Sequence, residues 1–241
     1  MPTATRIRHG RGAPDPRLLT GIAGFAVAVL LIFEFLVRIA LGPRPALDEA
    51  SALAAFANRT NAQTLTITLT DTLMMACLIV FLTGFRQLIA EAKAELEWVT
   101  TIVLAGGLVF VAVTLVGDSM EAGGALDTFD VSADPTAIRA LTEGYLMMFG
   151  PISSVLIALI AVASGYVTLA SDALPRWTGW LAYAVAALNI AAIPTTFGGT
   201  NDRVFYSVGG WGVAVFATFP WLVWVFTVSV VAIRDRRTHR V

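Results

Sequence analysis

A long apolar run begins at Leu18 and ends at Leu41, and it reads LLTGIAGFAVAVLLIFEFLVRIAL. A helix needs about 20 mostly apolar residues to cross a bilayer core about 30 Å thick. Further runs of this kind follow at about 65–88, 98–116, 141–170, 177–193 and 208–233. These runs are too long and too uniformly apolar for barrel strands. The sequence therefore predicts an all-α membrane protein, a six-transmembrane-helix bundle in a single domain over residues 1–241.

The overall composition agrees with this prediction. Of the 241 residues, 57% are hydrophobic and 14% are charged, and the mean hydropathy is +0.76. Soluble domains usually contain about 25% charged residues, so the composition excludes a soluble enzyme and a disordered chain. The formal net charge is −1, which excludes nucleic acid as a partner because no basic field exists. The lipid bilayer is the expected surrounding medium.

Orientation is predicted from the basic residues, which favour the cytoplasmic side of a membrane. With the N-terminus in the cytoplasm, 11 basic residues lie inside, 4 lie outside, and Arg38 is within a span. The inside set is Arg6, Arg8, Arg11, Arg17, Arg86, Lys93, Arg176, Arg234, Arg236, Arg237 and Arg240. The outside set is Arg44, Arg59, Arg139 and Arg203. An even number of spans and this bias both predict cytoplasmic termini in the plasma membrane.

Two outer loops carry recognisable patterns. The loop from Gly42 to Thr64 has apolar residues at helical spacing, which predicts a short interfacial helix. The loop from Asp118 to Arg139 is acidic. This loop either attracts cations or simply lacks the basic residues that exported loops avoid.

Ionisable residues within spans are the candidates for function, because burying a charge in a membrane is costly. The candidate ligand-binding residues are Glu34, Arg38, Asp71, Glu143 and Arg203. All of them lie in the outer half of the predicted membrane region. This asymmetry predicts a polar cavity that opens to the outside.

A purely structural alternative exists for the same residues. Glu34 and Arg38 are four residues apart, so they share a helical face and can pair. Asp71 lies beside a row of threonines at 64, 68 and 72, whose hydroxyls would satisfy it, as would Arg203. In that case the charges only specify packing.

Helix breakers and aromatic residues mark two further features. Pro151, Pro194 and Pro220 fall within or at the ends of spans, where proline bends a helix. Trp221 and Trp224 lie deep for tryptophan. They either line a ligand pocket or pack against neighbouring helices and lipid.

The residue inventory argues against cofactors, metal ions and known catalytic sets. The two histidines, His9 and His239, are in the tails, which disfavours haem and zinc. Lys93 is the only lysine and Cys77 the only cysteine, so retinal and paired-thiol chemistry lack their residues. No catalytic residue, cofactor or metal ligand is therefore assigned. An aspartyl-type pair of Asp71 with either Glu34 or Glu143 remains open.

One segment suggests a family. Residues 174–181 read LPRWTGWL, a long helix before them ends in GYVTLAS, and an aromatic helix with Trp221 and Trp224 precedes Arg234. The chain resembles a broad set of six-span, actinobacterial-type integral membrane proteins of unknown function, chiefly over residues 143–237. The resemblance implies the bacterial membrane bundle and no chemistry.

Three functions are consistent with these observations. The first is a non-enzymatic structural, sensory or accessory role, with another membrane protein as partner. The second is a small transporter or ligand-binding protein that takes a small polar or cationic ligand from the outer side. The third is an intramembrane enzyme that uses carboxylates.

Overall fold

The computed structural model describes residues 15–130 and 134–238. The described residues form helices and turns and contain no strand. The helices are α1 Pro16–Leu41, α2 Ala50–Ala92, α3 Glu97–Asp130, α4 Pro135–Met147, α5 Ser153–Ala170, α6 Arg176–Ala192, α7 Trp211–Val213 and α8 Phe219–Thr238. Short 3-10 helices lie at Ala94–Leu96 and Ile193–Gly198, and π-helical turns lie at Met148–Ile152 and Ala214–Thr218. The basic residues Arg6, Arg8, Arg11 and Arg240 lie outside the described residues.

Six segments of the described chain are long and apolar enough to cross a membrane, judged by length and composition. They are Pro16–Leu41, Ser51–Ala92, Ala94–Phe129, Pro135–Ala170, Arg176–Gly198 and Trp211–Asp235. The predicted helical bundle is therefore confirmed. Two of the six segments are composite, because π-helical turns join α4 to α5 and α7 to α8.

Two predicted loops are helical instead. α2 already begins at Ala50, so the apolar residues expected in a separate interfacial helix form its first turns. α3 continues to Asp130, so the prediction of a loop from Asp118 was wrong. The glycine after Val116 does not end the helix because it serves packing: a Cβ on Gly117 would lie 2.7 Å from the Phe149 ring.

The helices pack in a continuous series around a buried aromatic centre. α1 packs on α2 and α8, α2 packs on α3, α3 packs on α5, and α5 packs on α6. Trp224 is fully buried and meets the rings of Phe81 and Phe85 edge-on at 6.0 and 5.8 Å. Its indole Nε1 donates to the carbonyl oxygen of Thr178 at 3.3 Å. This bond satisfies the polar end of a large core side chain and links α8 to α6.

The connections between helices gather at two ends. Residues 42–49 and 199–210 form what we call the mouth end, and residues 93–96 and 171–175 form the tail end. Ion pairs tie the tail end together, with Arg17 3.5 Å from Asp235 and Arg86 2.5 Å from Glu97.

All three predicted helix breakers lie in or beside an irregular turn. Pro151 is within the first π-helical turn, where Gly150 has non-helical angles (φ −86°, ψ −106°). Pro194 lies in the first turn of the second 3-10 helix, and Pro220 lies two residues after the second π-helical turn. Ser154 Oγ donates to the Gly150 carbonyl at 2.8 Å, which satisfies a group near the kink.

Close helix contact gives the first test. A Cβ on Gly24 of α1 would overlap Ser229 Oγ and lie 2.6 Å from Phe81 Cδ2. We expect Gly24→Ala to lower the free energy of unfolding by about 1–3 kcal/mol, as overpacking does. At the control position Gly123 of α3 the nearest atom is 3.8 Å away. There Gly123→Ala should raise stability by about 0.5–1 kcal/mol, because alanine favours helix. Denaturation of the purified variants measures both changes in the free energy of unfolding. Equal changes in the two variants would contradict the close packing at Gly24.

Candidate functional site

A cavity of about 710 Å³ enters the bundle from the mouth end. It follows α1 from Leu41 to Val27, about 21 Å along the helix at 1.5 Å per residue. Arg44, Asp202 and Arg203 lie around its mouth. The cavity therefore reaches the middle of the bundle from one end.

The charged residues inside the bundle continue the buried faces of three helices. On α1, Glu34 and Arg38 follow Val27 and Leu31 at spacings of three and four residues, so all share one side. On α2, Asp71 precedes the buried Met74, Met75 and Leu78 in the same way. On α3, Asp118 and Glu121 follow the buried Val111 and Thr114. Helical periodicity alone thus points these side chains inward, where the three helices pack.

Arg38 joins two acidic residues across the cavity wall. Its Nε donates to Glu34 Oε1 at 2.5 Å, and its two terminal nitrogens lie 3.3 and 3.4 Å from the Glu121 carboxylate. The guanidinium also lies 5.5 Å from the centre of the Tyr145 ring. The predicted pairing of Glu34 with Arg38 is confirmed. The second partner, Glu121, extends that pairing from α1 to α3.

Two further carboxyls lie behind this pair. Asp71 is 0% exposed, Asp118 is 2% exposed, and Glu34 is 6% exposed. The Asp71 carboxyl interacts electrostatically with the carboxyls of Glu34 and Asp118. In the described part of the chain, no donor group bonds to either oxygen of Asp71 or Asp118. Each of these acceptors therefore faces other acceptors, which an ionised carboxylate cannot satisfy. We call Glu34, Asp71, Asp118 and Glu121 the acidic cluster.

The threonine row does not satisfy Asp71, contrary to the structural alternative. Thr68 Oγ1 donates to the Thr64 carbonyl at 3.2 Å, and Thr72 Oγ1 donates to the Thr68 carbonyl at 2.8 Å. These hydroxyls bond to their own helix, as helical threonines commonly do. Arg203 is exposed at the mouth of the cavity, and its backbone N–H donates to Asn201 Oδ1 at 3.0 Å.

The inner end of the cavity is apolar and aromatic. Trp221 lines it and stacks on the buried Trp224 at 5.2 Å between ring centres. Trp221 therefore borders the cavity, whereas Trp224 packs behind it against neighbouring helices. The rings of Phe35, Phe110, Phe149 and Tyr145 also line the cavity.

The two π-helical turns form part of the cavity wall. Gly150 lines the cavity from the first turn, and Ala214, Ala217 and Thr218 line it from the second. Such turns displace the following helix from a straight path. The helix breakers are thus directly connected to the shape of the cavity.

The candidate residues from the sequence fall into three places. Glu34, Arg38 and Arg203 line the cavity, and Asp71 lies behind Glu34. Glu143 is half exposed on α4, where its Oε1 accepts from Arg139 Nε at 2.9 Å, and it is absent from the cavity lining.

Sequence reasoning missed Asp118 and Glu121, because the acidic stretch after Val116 read as a loop. The spacing of 3 or 4 residues from Val111 through Thr114 and Asp118 to Glu121 was the signal that would have placed them on a helix face. It also missed Tyr145, since aromatic residues are common in apolar helices. Among the described residues no group of three acidic, cysteine or histidine side chains is arranged to hold a metal ion.

Comparison of this chain with protein-family models, curated proteins and solved structures finds no match.

The bridging role of Arg38 gives the second test. Removing one partner of a buried ion pair leaves an uncompensated charge, which costs about 3–5 kcal/mol. We therefore expect Arg38→Met to lower the free energy of unfolding by about 3 kcal/mol, since 24% of this side chain is exposed. The matched control is Arg139→Met, whose exposed pair with Glu143 contributes about 0.2–1 kcal/mol. Equal losses in denaturation of the two variants would argue against the bridge.

Proposed function

We propose that this chain is a six-span plasma-membrane protein whose outward-facing cavity binds a small hydrophobic organic cation. Both termini lie in the cytoplasm and the mouth end faces outside. The chain is a sensor or transporter of such ligands rather than an enzyme. Its place among the six-span actinobacterial-type proteins is part of the same proposal.

One observation carries the proposal. A cavity of about 710 Å³ connects the mouth end to a charged centre in an otherwise apolar bundle. Ligand sites are usually mostly apolar cavities of about 300–1,000 Å³ with a few placed polar groups. The cavity falls within that range, and Glu34, Arg38 and Glu121 supply the polar groups.

The charge balance favours a cation. The acidic cluster holds four carboxyl groups, and Arg38 is the guanidinium that pairs with two of them. Aromatic rings complete the lining, and a cation over an aromatic face gains about 0.5–2 kcal/mol. A hydrophobic cation would therefore place its charge near Glu34 and its apolar groups against Trp221.

The other two candidate functions receive less support. An aspartyl-type enzyme needs its carboxyls in contact with substrate, and neither Asp71 nor Asp118 is in the cavity lining. A purely structural role would not require the open volume beside Glu34 and Arg38. Exposed tryptophans at the tail end, Trp98, Trp177 and Trp180, suit a membrane interface and support the span assignment.

Cysteine labelling tests the orientation. The native Cys77 is first replaced by serine, and a single cysteine is then introduced at Asp48 of the mouth end or Glu95 of the tail end. Both positions are exposed. We expect a membrane-impermeant maleimide to label Asp48→Cys in intact cells, because the mouth end faces outside. The same reagent should label Glu95→Cys only after the membrane is opened. The reverse pattern would invert the proposed topology.

Ligand binding tests the function with a pair of probes of equal shape and opposite charge. We expect tetraphenylphosphonium to bind the protein in lipid nanodiscs at one site, and tetraphenylborate to bind at least about tenfold more weakly, a difference of about 1.4 kcal/mol.

A cavity-filling variant provides the control for that binding. Ala214 lines the cavity, whereas the neighbouring Val215 is 43% exposed and lines a separate apolar cavity with Leu181 and Val223. Ala214→Trp should weaken tetraphenylphosphonium binding at least about tenfold, and Val215→Trp should leave it unchanged. Tighter binding of tetraphenylborate, or equal effects of the two tryptophans, would refute a cation site in this cavity.

A further inference from the structure

We propose that Asp71 and Asp118 form a proton-binding site, and that a cation entering the cavity displaces the proton. This inference rests on the proposed function for its ligand. The proton site itself stands on the arrangement of the acidic cluster.

Charged and titratable side chains from neighbouring helices surround the two aspartates. α1 presents Glu34 and Arg38 to Asp71, and α3 presents Asp118 to Asp71 and carries Glu121, which interacts with Asp118. α4 presents Tyr145 to Arg38. Arg38 makes its hydrogen bonds to Glu34 and Glu121 rather than to either aspartate. With all four carboxyls ionised, the acidic cluster and Arg38 together would carry a net charge of −3. So many like charges in one buried site cannot all persist.

A single bound proton would give the two aspartates a hydrogen bond and would also reduce the buried negative charge. Asp71 and Asp118 each present acceptor oxygens that no donor in the described part of the chain reaches. One proton placed between them turns one acceptor into a donor, so that a carboxyl–carboxylate hydrogen bond forms. A metal ion would need more ligands, and the described residues contain no suitable group of three.

A second, independent observation points from the cavity to this site. Thr114 lines the cavity, is 1% exposed, and its hydroxyl has no hydrogen-bond partner among the residues that the structure describes. It lies one helical turn before Asp118 on the same face of α3. A hydroxyl can both donate and accept, so Thr114 is placed to pass a proton between water in the cavity and Asp118.

Glu34 connects the two sites. It lines the cavity, and its carboxyl also faces Asp71. A cation beside Glu34 stabilises the ionised form of the acidic cluster, so the proton is released. The exchange is balanced: one cation enters, one proton leaves to water, and the net charge of the site is unchanged.

Infrared spectroscopy of the ligand-free protein tests the proton site alone. A protonated carboxylic acid has a C=O stretching band distinct from that of a carboxylate. We expect the wild-type protein to show this band at neutral pH, and the double variant Asp71→Asn, Asp118→Asn to lose it. The control Glu143→Gln alters an exposed carboxyl outside the cavity and should keep the band. Absence of the band in the wild type would overturn the proton site, as would its persistence in the double variant. Loss of the band on adding sodium at constant pH would mean that sodium displaces the proton from the site.

Calorimetry of tetraphenylphosphonium binding in two buffers of different ionisation enthalpy tests the exchange on the unmodified protein. We expect about one proton released per ligand, so the affinity should rise about tenfold per pH unit while the site is protonated. In the double variant, the release should vanish and the affinity should no longer vary with pH. Asparagine has nearly the same shape as aspartate, so we expect the double variant to fold. If it does not fold, the proton release measured on the wild-type protein still decides whether the exchange occurs.

The outcomes separate the two proposals. If tetraphenylphosphonium binds without proton release, the exchange is wrong and the proposed function stands. If it does not bind, the proposed function and the exchange both fail, and the infrared band alone decides whether the proton site exists.

Discussion

The positive charge of Arg38 must be neutralised within the bundle, and this requirement organises the helices around it. Because Arg38 pairs with Glu34 on its own helix and with Glu121 on α3, it links two helices that flank α2. The ring of Tyr145 adds α4 to the same centre. A buried charge with fixed partners specifies which faces of the helices meet, whereas apolar contacts alone would tolerate several arrangements.

The open space beside this charged centre follows from backbone irregularity. Straight, closely packed helices leave few voids. Here the π-helical turns at Met148–Ile152 and Ala214–Thr218 interrupt two of the six long segments, and both turns border the cavity. Gly150 and Pro151 lie in the first interruption, and the second ends two residues before Pro220. The residues at which these helices are irregular therefore border the open volume beside Glu34.

The cavity and the acidic cluster form two layers with different chemistry. The lining layer combines aromatic rings with the Arg38 ion pairs, which suits the recognition of a hydrophobic cation. The layer behind it, Asp71 and Asp118, is buried from solvent and accepts no hydrogen bond from any donor in the described part of the chain, which suits the storage of a proton. Glu34 belongs to both layers, so occupancy of one layer changes the electrostatic environment of the other. This physical link is the basis of the proposed coupling between ligand recognition and proton release.

Several features followed directly from local sequence. The apolar runs, the helix breakers and the i, i+4 pairing of Glu34 with Arg38 depend on residues close together in the chain, so periodicity and hydropathy were sufficient to predict them. The acidic stretch after Val116 was wrongly predicted to be a loop, because glycines that serve helix packing look the same in sequence as glycines that end a helix. The threonine row beside Asp71 misled as well, since those hydroxyls bond to their own backbone. The sequence by itself determined the six apolar helices and one ion pair. Only the tertiary structure decided that Asp118 and Glu121 join that pair and that a cavity remains beside it, because these contacts depend on how distant helices pack.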